Sequence, residues 1–134
     1  MATRRQAVRA LAGAVLAAPL AAHTADTQTR TEATMYGLIG KIKAATGQRD
    51  ALAAILLSGT GAMPGCLSYV VALDPKDADA LWVTEVWESE ASHLASLTLP
   101  AVQAAIAKGR PLITGFSDRV ETVPVGGYGL KKVP

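Results

Sequence analysis

The sequence is poor in the residues on which several functions depend. A single cysteine, Cys66, rules out an internal disulfide, so the fold must stand without one. Histidine occurs only at positions 23 and 93, and beside one cysteine this leaves no Cys/His cluster for a metal. Tryptophan, tyrosine and phenylalanine make up 4% of the chain, too few rings to stack along single-stranded nucleic acid. There is no basic surplus either. The formal charge of +2 resides in residues 1–34, where Arg4, Arg5, Arg9 and Arg30 outnumber Asp26 and Glu32, and the remainder is formally neutral. A nucleic-acid partner needs a dense basic footprint, so none is expected. The longest uncharged apolar stretch near the start, Ala10–Ala22, is too short to span a bilayer as a helix.

What is present is hydrophobic material, half of 134 residues, enough for one domain with a buried core. Residues 1–34 are laid out as an export signal: a basic head, an uncharged core and then small residues. Thr3-Arg4-Arg5-Gln6 looks like a twin-arginine signal. Such an address implies a periplasmic or secreted protein with no stable membrane association once the signal is removed. Met35 opens the first predicted strand, however, and translation from that residue would leave the protein in the cytoplasm.

The body, residues 35–125, reads β-α-β-β-α-β. From 35 to 44, Tyr36, Leu38, Ile42 and Ala44 alternate with positions that end in Lys41 and Lys43, a half-buried strand. Residues 47–58 place Leu52, Ile55 and Leu56 on a helical stripe, and Gly59, Gly61, Pro64 and Gly65 are expected to stop that helix. Residues 66–73 and 81–88 alternate as two strands joined at Asp74-Pro75-Lys76-Asp77, a hairpin. Leu81, Val83, Glu85 and Trp87 share one face of the second. Ser89 is suited to cap a short helix bearing Ala91, Leu94 and Leu97, and Pro100 to start a second helical piece ending at Lys108, closed by Gly109. A last strand covers 112–123, with Gly115 marking a bulge or a close approach. This is an α+β, ferredoxin-like arrangement with a four-stranded antiparallel sheet. Helices cover one face of such a sheet, and the other must meet something; a second copy gives a homodimer, a dimeric α/β barrel. The tail, 126–134, carries Tyr128 and Leu130 and is expected to pack on the dimer partner.

The segment VTEVWESEASHLASLTLPAVQAAIAKGRPLITGF, with GQRDALAAIL and MPGCLSYVV upstream, resembles the antibiotic biosynthesis monooxygenase family over about residues 35–125. The resemblance implies a cofactor-independent oxygenase acting on a quinol-like or other electron-rich aromatic with O2. It also extends to haem-degrading relatives, but the first-strand asparagine they use is missing, since the chain contains no asparagine. Trp87 falls on the tryptophan that lines the ligand pocket in related oxygenases. Where many relatives have a histidine nine residues later, this chain has Ser96, and its nearby histidine is His93. The competing reading is a non-catalytic ligand-binding or stress-associated protein on the same scaffold, because fold does not fix function.

Such an oxygenase needs a base, an oxyanion donor and apolar walls that exclude water. Glu85, a carboxylate on an otherwise apolar strand face, is one catalytic candidate; a salt bridge with Arg110 or Arg119, or exposure at the rim, is its structural alternative. His93, at the edge of the second helix's apolar stripe, is the other, against a solvated or capping histidine. For substrate binding the candidates are Trp87, Tyr36, Tyr69 and Phe116 as walls or hydroxyl donors, and Arg110 as an anion partner, each against a packing or surface role. Residues 59–65 follow a helix and precede a strand, the reverse of a dinucleotide loop. Cys66 lacks a basic neighbour and reads as a small buried residue.

Overall fold

The structure is a computed structural model that describes residues 34–130. The expected export signal falls almost wholly on residues 1–33, outside the described residues, as does the end of the tail, 131–134. Four strands, β1 (Tyr36–Ala44), β2 (Cys66–Leu73), β3 (Ala80–Trp87) and β4 (Ile113–Thr122), form one antiparallel sheet in the order β2-β3-β1-β4. Helix α1 (Arg49–Gly59) joins β1 to the hairpin, and α2 (Glu90–Ser96) and α3 (Pro100–Gly109) join the hairpin to β4 through a 3-10 turn at Arg110–Leu112. The α+β ferredoxin-like arrangement read from the sequence is the observed one.

Period-2 alternation sorts the sheet into two faces. Tyr36, Leu38, Gly40 and Ile42 of β1 lie opposite Trp87, Glu85, Val83 and Leu81 of β3, and Tyr69 and Val71 of β2 lie opposite Glu85 and Val83. The helices pack on this face, where Ile42, Ala44, Leu52, Leu81 and Val83 make the core, joined by Ala53, Leu56, Val71 and Ile113. Full burial of Leu52 alone contributes about 2 to 3 kcal/mol. On the other face Val70, Thr84, Ile39 and Val120 form one row across all four strands, with Val70 and Val120 about half exposed.

The turn between β2 and β3 is built on Asp74. Its Oδ1 accepts the backbone N–H groups of Lys76 and Asp77 at 2.8 and 3.1 Å, and its Oδ2 accepts the Trp82 indole N–H at 2.9 Å and lies 3.2 Å from the Lys41 ammonium. These donors hold the carboxyl down to a pKa of about 2.

Two glycines expected to stop helices do end them, and both also serve the packing. Gly59 is the last residue of α1 and is buried; a Cβ there would sit 2.6 Å from the Ala105 side chain of α3. Gly109 stays in the right-handed helical region at φ −76, and a Cβ on it would come within 3.3 Å of Leu52. Both are small because α1 and α3 approach closely, and the chain passes from Gly109 into the 3-10 turn rather than ending in a left-handed cap.

The phase of α2 also departs from expectation. Its apolar stripe does not face inward: Leu94 is 55% and Leu97 42% exposed, whereas Ser96 is buried and the His93 side chain retains 12% exposure. The cap sets this phase. Ser89 Oγ accepts the Ser92 N–H at 3.1 Å directly after β3, and the first turn then directs His93 toward the sheet.

Candidate active site

Strand β3 and helix α2 together bring the two catalytic candidates into contact. Glu85 and Trp87 project from the same face of β3, and the Trp87 indole N–H donates to Glu85 Oε2 at 2.7 Å. From α2, His93 Nε2 lies 3.7 Å from the same oxygen, too long for a hydrogen bond but close enough for strong electrostatic coupling. The imidazole sits between two aromatic rings: its centroid is 5.5 Å from Trp87, edge to face, and 5.2 Å from Tyr36. Its second nitrogen, Nδ1, is sealed from solvent and has no hydrogen-bond partner.

Electrostatics follow from burial. Glu85 is raised above the ordinary carboxylate range chiefly by desolvation, against the lowering effects of the Trp87 hydrogen bond, His93 and Arg119. Tyr69 stands opposite Glu85 in the β2–β3 pair, and burial, followed by the Glu85 charge, raises its phenol so that it remains a proton donor across the physiological range.

These groups border a cavity of about 130 Å³ between sheet and helices, with Tyr69, Glu85, Trp87 and His93 on one side and Leu56, Val102 and Ile106 among the apolar walls. Tyr69 and Glu85 are shared with an adjoining cleft of about 290 Å³ that continues over Leu38, Gly40, Ile42 and Val83 to Phe116 and Arg119. A small polar corner thus adjoins a longer apolar cleft, the form expected of a small-molecule site.

Of the candidates read from sequence, Glu85, His93, Trp87 and Tyr69 meet at this corner. Tyr36 supports it from behind the imidazole, with its hydroxyl donating to Glu121 at 2.9 Å. Phe116, 72% exposed, stands on the adjoining cleft. Arg110 is exposed and does not border the corner or the cleft; it lines a neighbouring space beside α3 with Leu52 and Ile113. Glu85 makes no salt bridge with Arg110 or Arg119 and is not at an exposed rim; its partners are Trp87 and His93. Sequence reading missed the walls supplied by Leu56, Val102 and Ile106, whose helical spacing marks them only as core, and it missed Arg119 as a cleft residue. Among the described residues, no group of three or more His, Cys, Asp or Glu side chains is set to hold a metal. No described helix is long and apolar enough to cross a membrane.

Fold and site together define a ferredoxin-like α+β protein with a cavity between its sheet and its helices that adjoins a cleft over the sheet. Residues 35–108 match the antibiotic biosynthesis monooxygenase family, and the chain belongs to that family. It is similar to a candidate antibiotic biosynthesis monooxygenase from Chloroflexus aurantiacus, with 66% identity over 73% of this chain and all of that one, and a TM-score of 0.72. A protein from Pseudomonas aeruginosa (21% identity, 71% of this chain and 98% of that one, TM-score 0.62) shares the fold. So does a candidate antibiotic biosynthesis monooxygenase from Caulobacter crescentus (18% identity, 71% and 93%, TM-score 0.63). No curated protein matches the chain.

Proposed function

We propose that the protein is a cofactor-independent monooxygenase that oxidises a quinol-like or other electron-rich aromatic with O2 at the Glu85–His93–Trp87 corner. The observation that carries this reading is the convergence of Glu85, His93, Trp87 and Tyr69 on one cavity, with the His93 imidazole 3.7 Å from the Glu85 carboxyl. A base paired with a buried carboxyl on the wall of a cavity is placed to take a proton from a hydroxyl bound there.

The reaction balances without an outside reductant: a quinol with one ring C–H reacts with O2 to give a hydroxyquinone and water. His93 takes the phenolic proton, and Glu85 stabilises the imidazolium that forms. The protonated Tyr69 hydroxyl donates to the resulting oxyanion. Electrons pass from the anion to O2, and a C–O bond forms, giving a ring hydroperoxide once the distal oxygen is protonated. The ring C–H proton then passes to the Glu85–His93 pair, which gave its first proton to the distal oxygen, the O–O bond breaks, and hydroxide leaves as water with that second proton. Trp87 holds Glu85 in place and, with the apolar walls, keeps bulk water from the anion.

Turnover of 1,4-naphthohydroquinone by the purified protein tests the assignment. His93→Ala is expected to lower kcat at least a hundredfold with the fold intact by circular dichroism. Unchanged rates in both His93→Ala and Glu85→Gln would remove the pair from the mechanism.

Two further expectations complete the proposal. A second copy covers the row Val70, Thr84, Ile39 and Val120, and the tail, with Val125 and Tyr128 fully exposed, packs on that partner; both features support a homodimer. Residues 1–34 act as the export signal, placing residues 35–125 as a domain in the periplasm or outside the cell.

A further inference from the structure

Strand β4 pairs with β1 through an irregularity that the proposed chemistry does not explain. Lys41 faces Ser117 and Ile39 faces Val120, so Gly40 alone stands opposite two residues, Asp118 and Arg119. This is a β-bulge, a feature that re-aims side chains beside functional sites. Asp118 takes φ 50, a left-handed conformation unfavourable for a residue with a side chain.

The bulge reverses the parity of the strand. Phe116 faces Ile42 and Glu121 faces Leu38, both helix-side positions of β1, although they lie an odd number of positions apart along β4. In a regular strand Arg119 would therefore fall on the outer face. It lines the cleft instead, with Leu38, Gly40, Phe116, Tyr69 and Glu85. Gly40 leaves the opposite side open, since a Cβ there would find nothing within 4 Å.

Arg119 is the cleft's cation toward its Phe116 end, but it is not a bare charge. Its Nη1 lies 3.2 Å from Glu121 Oε1, which also accepts the Tyr36 hydroxyl. That bond engages one of five guanidinium N–H donors and orients the rest. Across the cleft Glu85 is the facing carboxyl, coupled to Arg119, and Lys41 is the other cation on the lining.

We propose that Arg119 is a specificity-determining residue that holds a carboxylate on the far end of the aromatic ligand, whose reacting end rests against Glu85 and His93. The substrate is then an aromatic acid rather than a neutral quinol. The proposal rests on the cleft reading above, but its test needs no turnover.

Calorimetric titration of the full chain with 2-naphthoate and with methyl 2-naphthoate separates charge from shape. The wild type is expected to bind the acid about fivefold more tightly than the ester, the upper range for a partly exposed ion pair. Arg119→Gln is expected to lose that preference while binding the ester unchanged, which also shows that the cleft remains folded. Equal binding of acid and ester by the wild type, or a preference that survives in Arg119→Gln, overturns the Arg119 assignment and leaves the cleft standing. Binding of neither compound by the wild type overturns both. A preference lost in Arg119→Gln, in a protein that consumes no oxygen, retains the anchor and removes only the reaction.

Discussion

Replacing Glu85 by glutamine should slow the proposed turnover and stabilise the protein at once. The substitution keeps an acceptor for the Trp87 indole and removes the charge. With His93 Nε2 and Glu85 Oε2 3.7 Å apart and both side chains largely buried, a carboxylate and an imidazolium attract by about 4 to 5 kcal/mol at an effective ε of about 20. If that attraction is realised as His93 takes the proton, its loss corresponds to about three decades in kcat. Stability moves the other way. Burial is the largest influence on Glu85 and raises its pKa in the folded state above the usual 4.5, even after the favourable contacts with Trp87, His93 and Arg119. A group with a raised folded pKa contributes stability that is fully present below its unfolded pKa and is lost as pH rises through the folded value. Glu85→Gln should therefore melt above the wild type at pH 8, and the gap should close near pH 4. The assays are initial rates of oxygen uptake and thermal unfolding by circular dichroism at both pH values. A variant with wild-type turnover, or one that melts below the wild type at pH 8, refutes the reasoning.

Other outcomes follow from the packing. Trp87→Ala empties one of the three largest fully buried side-chain sites and should cost about 3 to 5 kcal/mol in urea unfolding. Gly59→Ala should destabilise by about 1 to 3 kcal/mol although alanine is the better helix former by about 1 kcal/mol, because the new Cβ would lie 2.6 Å from the Ala105 side chain; Ala105→Gly in the same chain should restore most of the loss. Asp74 is held at a pKa of about 2 against an ordinary 3.8, so its contribution is present above about pH 4 and lost as pH falls toward 2. Asp74→Asn should accordingly lower the melting temperature at pH 7 and leave a shallower acid transition. Val70→Lys, a charge placed in the row on the uncovered face, should convert the proposed homodimer to a monomer in sedimentation velocity while secondary structure is retained.

The hairpin was the most legible part of the chain. Residues 66–73 coincide with β2, and β3 differs by one residue at each end, because alternation, a turn built on Asp74 and flanking glycines all agree there. Ser89 and Pro100 likewise fixed the starts of α2 and α3 through capping chemistry that needs no tertiary context. The bulge suggested by Gly115 exists, with Thr114 as the extra residue between the pairs Lys43–Gly115 and Ala44–Ile113. The bulge at Asp118 and Arg119 carries no glycine and no local sign, so the face on which Arg119 lies was not legible. Helix α2 shows the same limit. Its leucines suggested the buried stripe, yet His93 and Ser96 face inward, and a local preference overridden in this way is common where a site is built. Glu85 and Trp87 were legible as a pair because two residues of one strand must share a face. Their contact with His93 depends on the angle at which α2 leaves β3, which only the folded chain reveals.

The central claim is that this chain places one atom of O2 in an aromatic product without a cofactor, and isotope labelling tests it most directly. Purified protein treated to remove metals should be given 1,4-naphthohydroquinone and a carboxylated analogue under ¹⁸O2, with oxygen uptake followed and products read by mass spectrometry. One ¹⁸O atom in a hydroxyquinone and one in water, at a rate above autoxidation that His93→Ala abolishes, is the expected result. Oxygen uptake no faster than autoxidation, or labelling unaffected by His93→Ala, would contradict it.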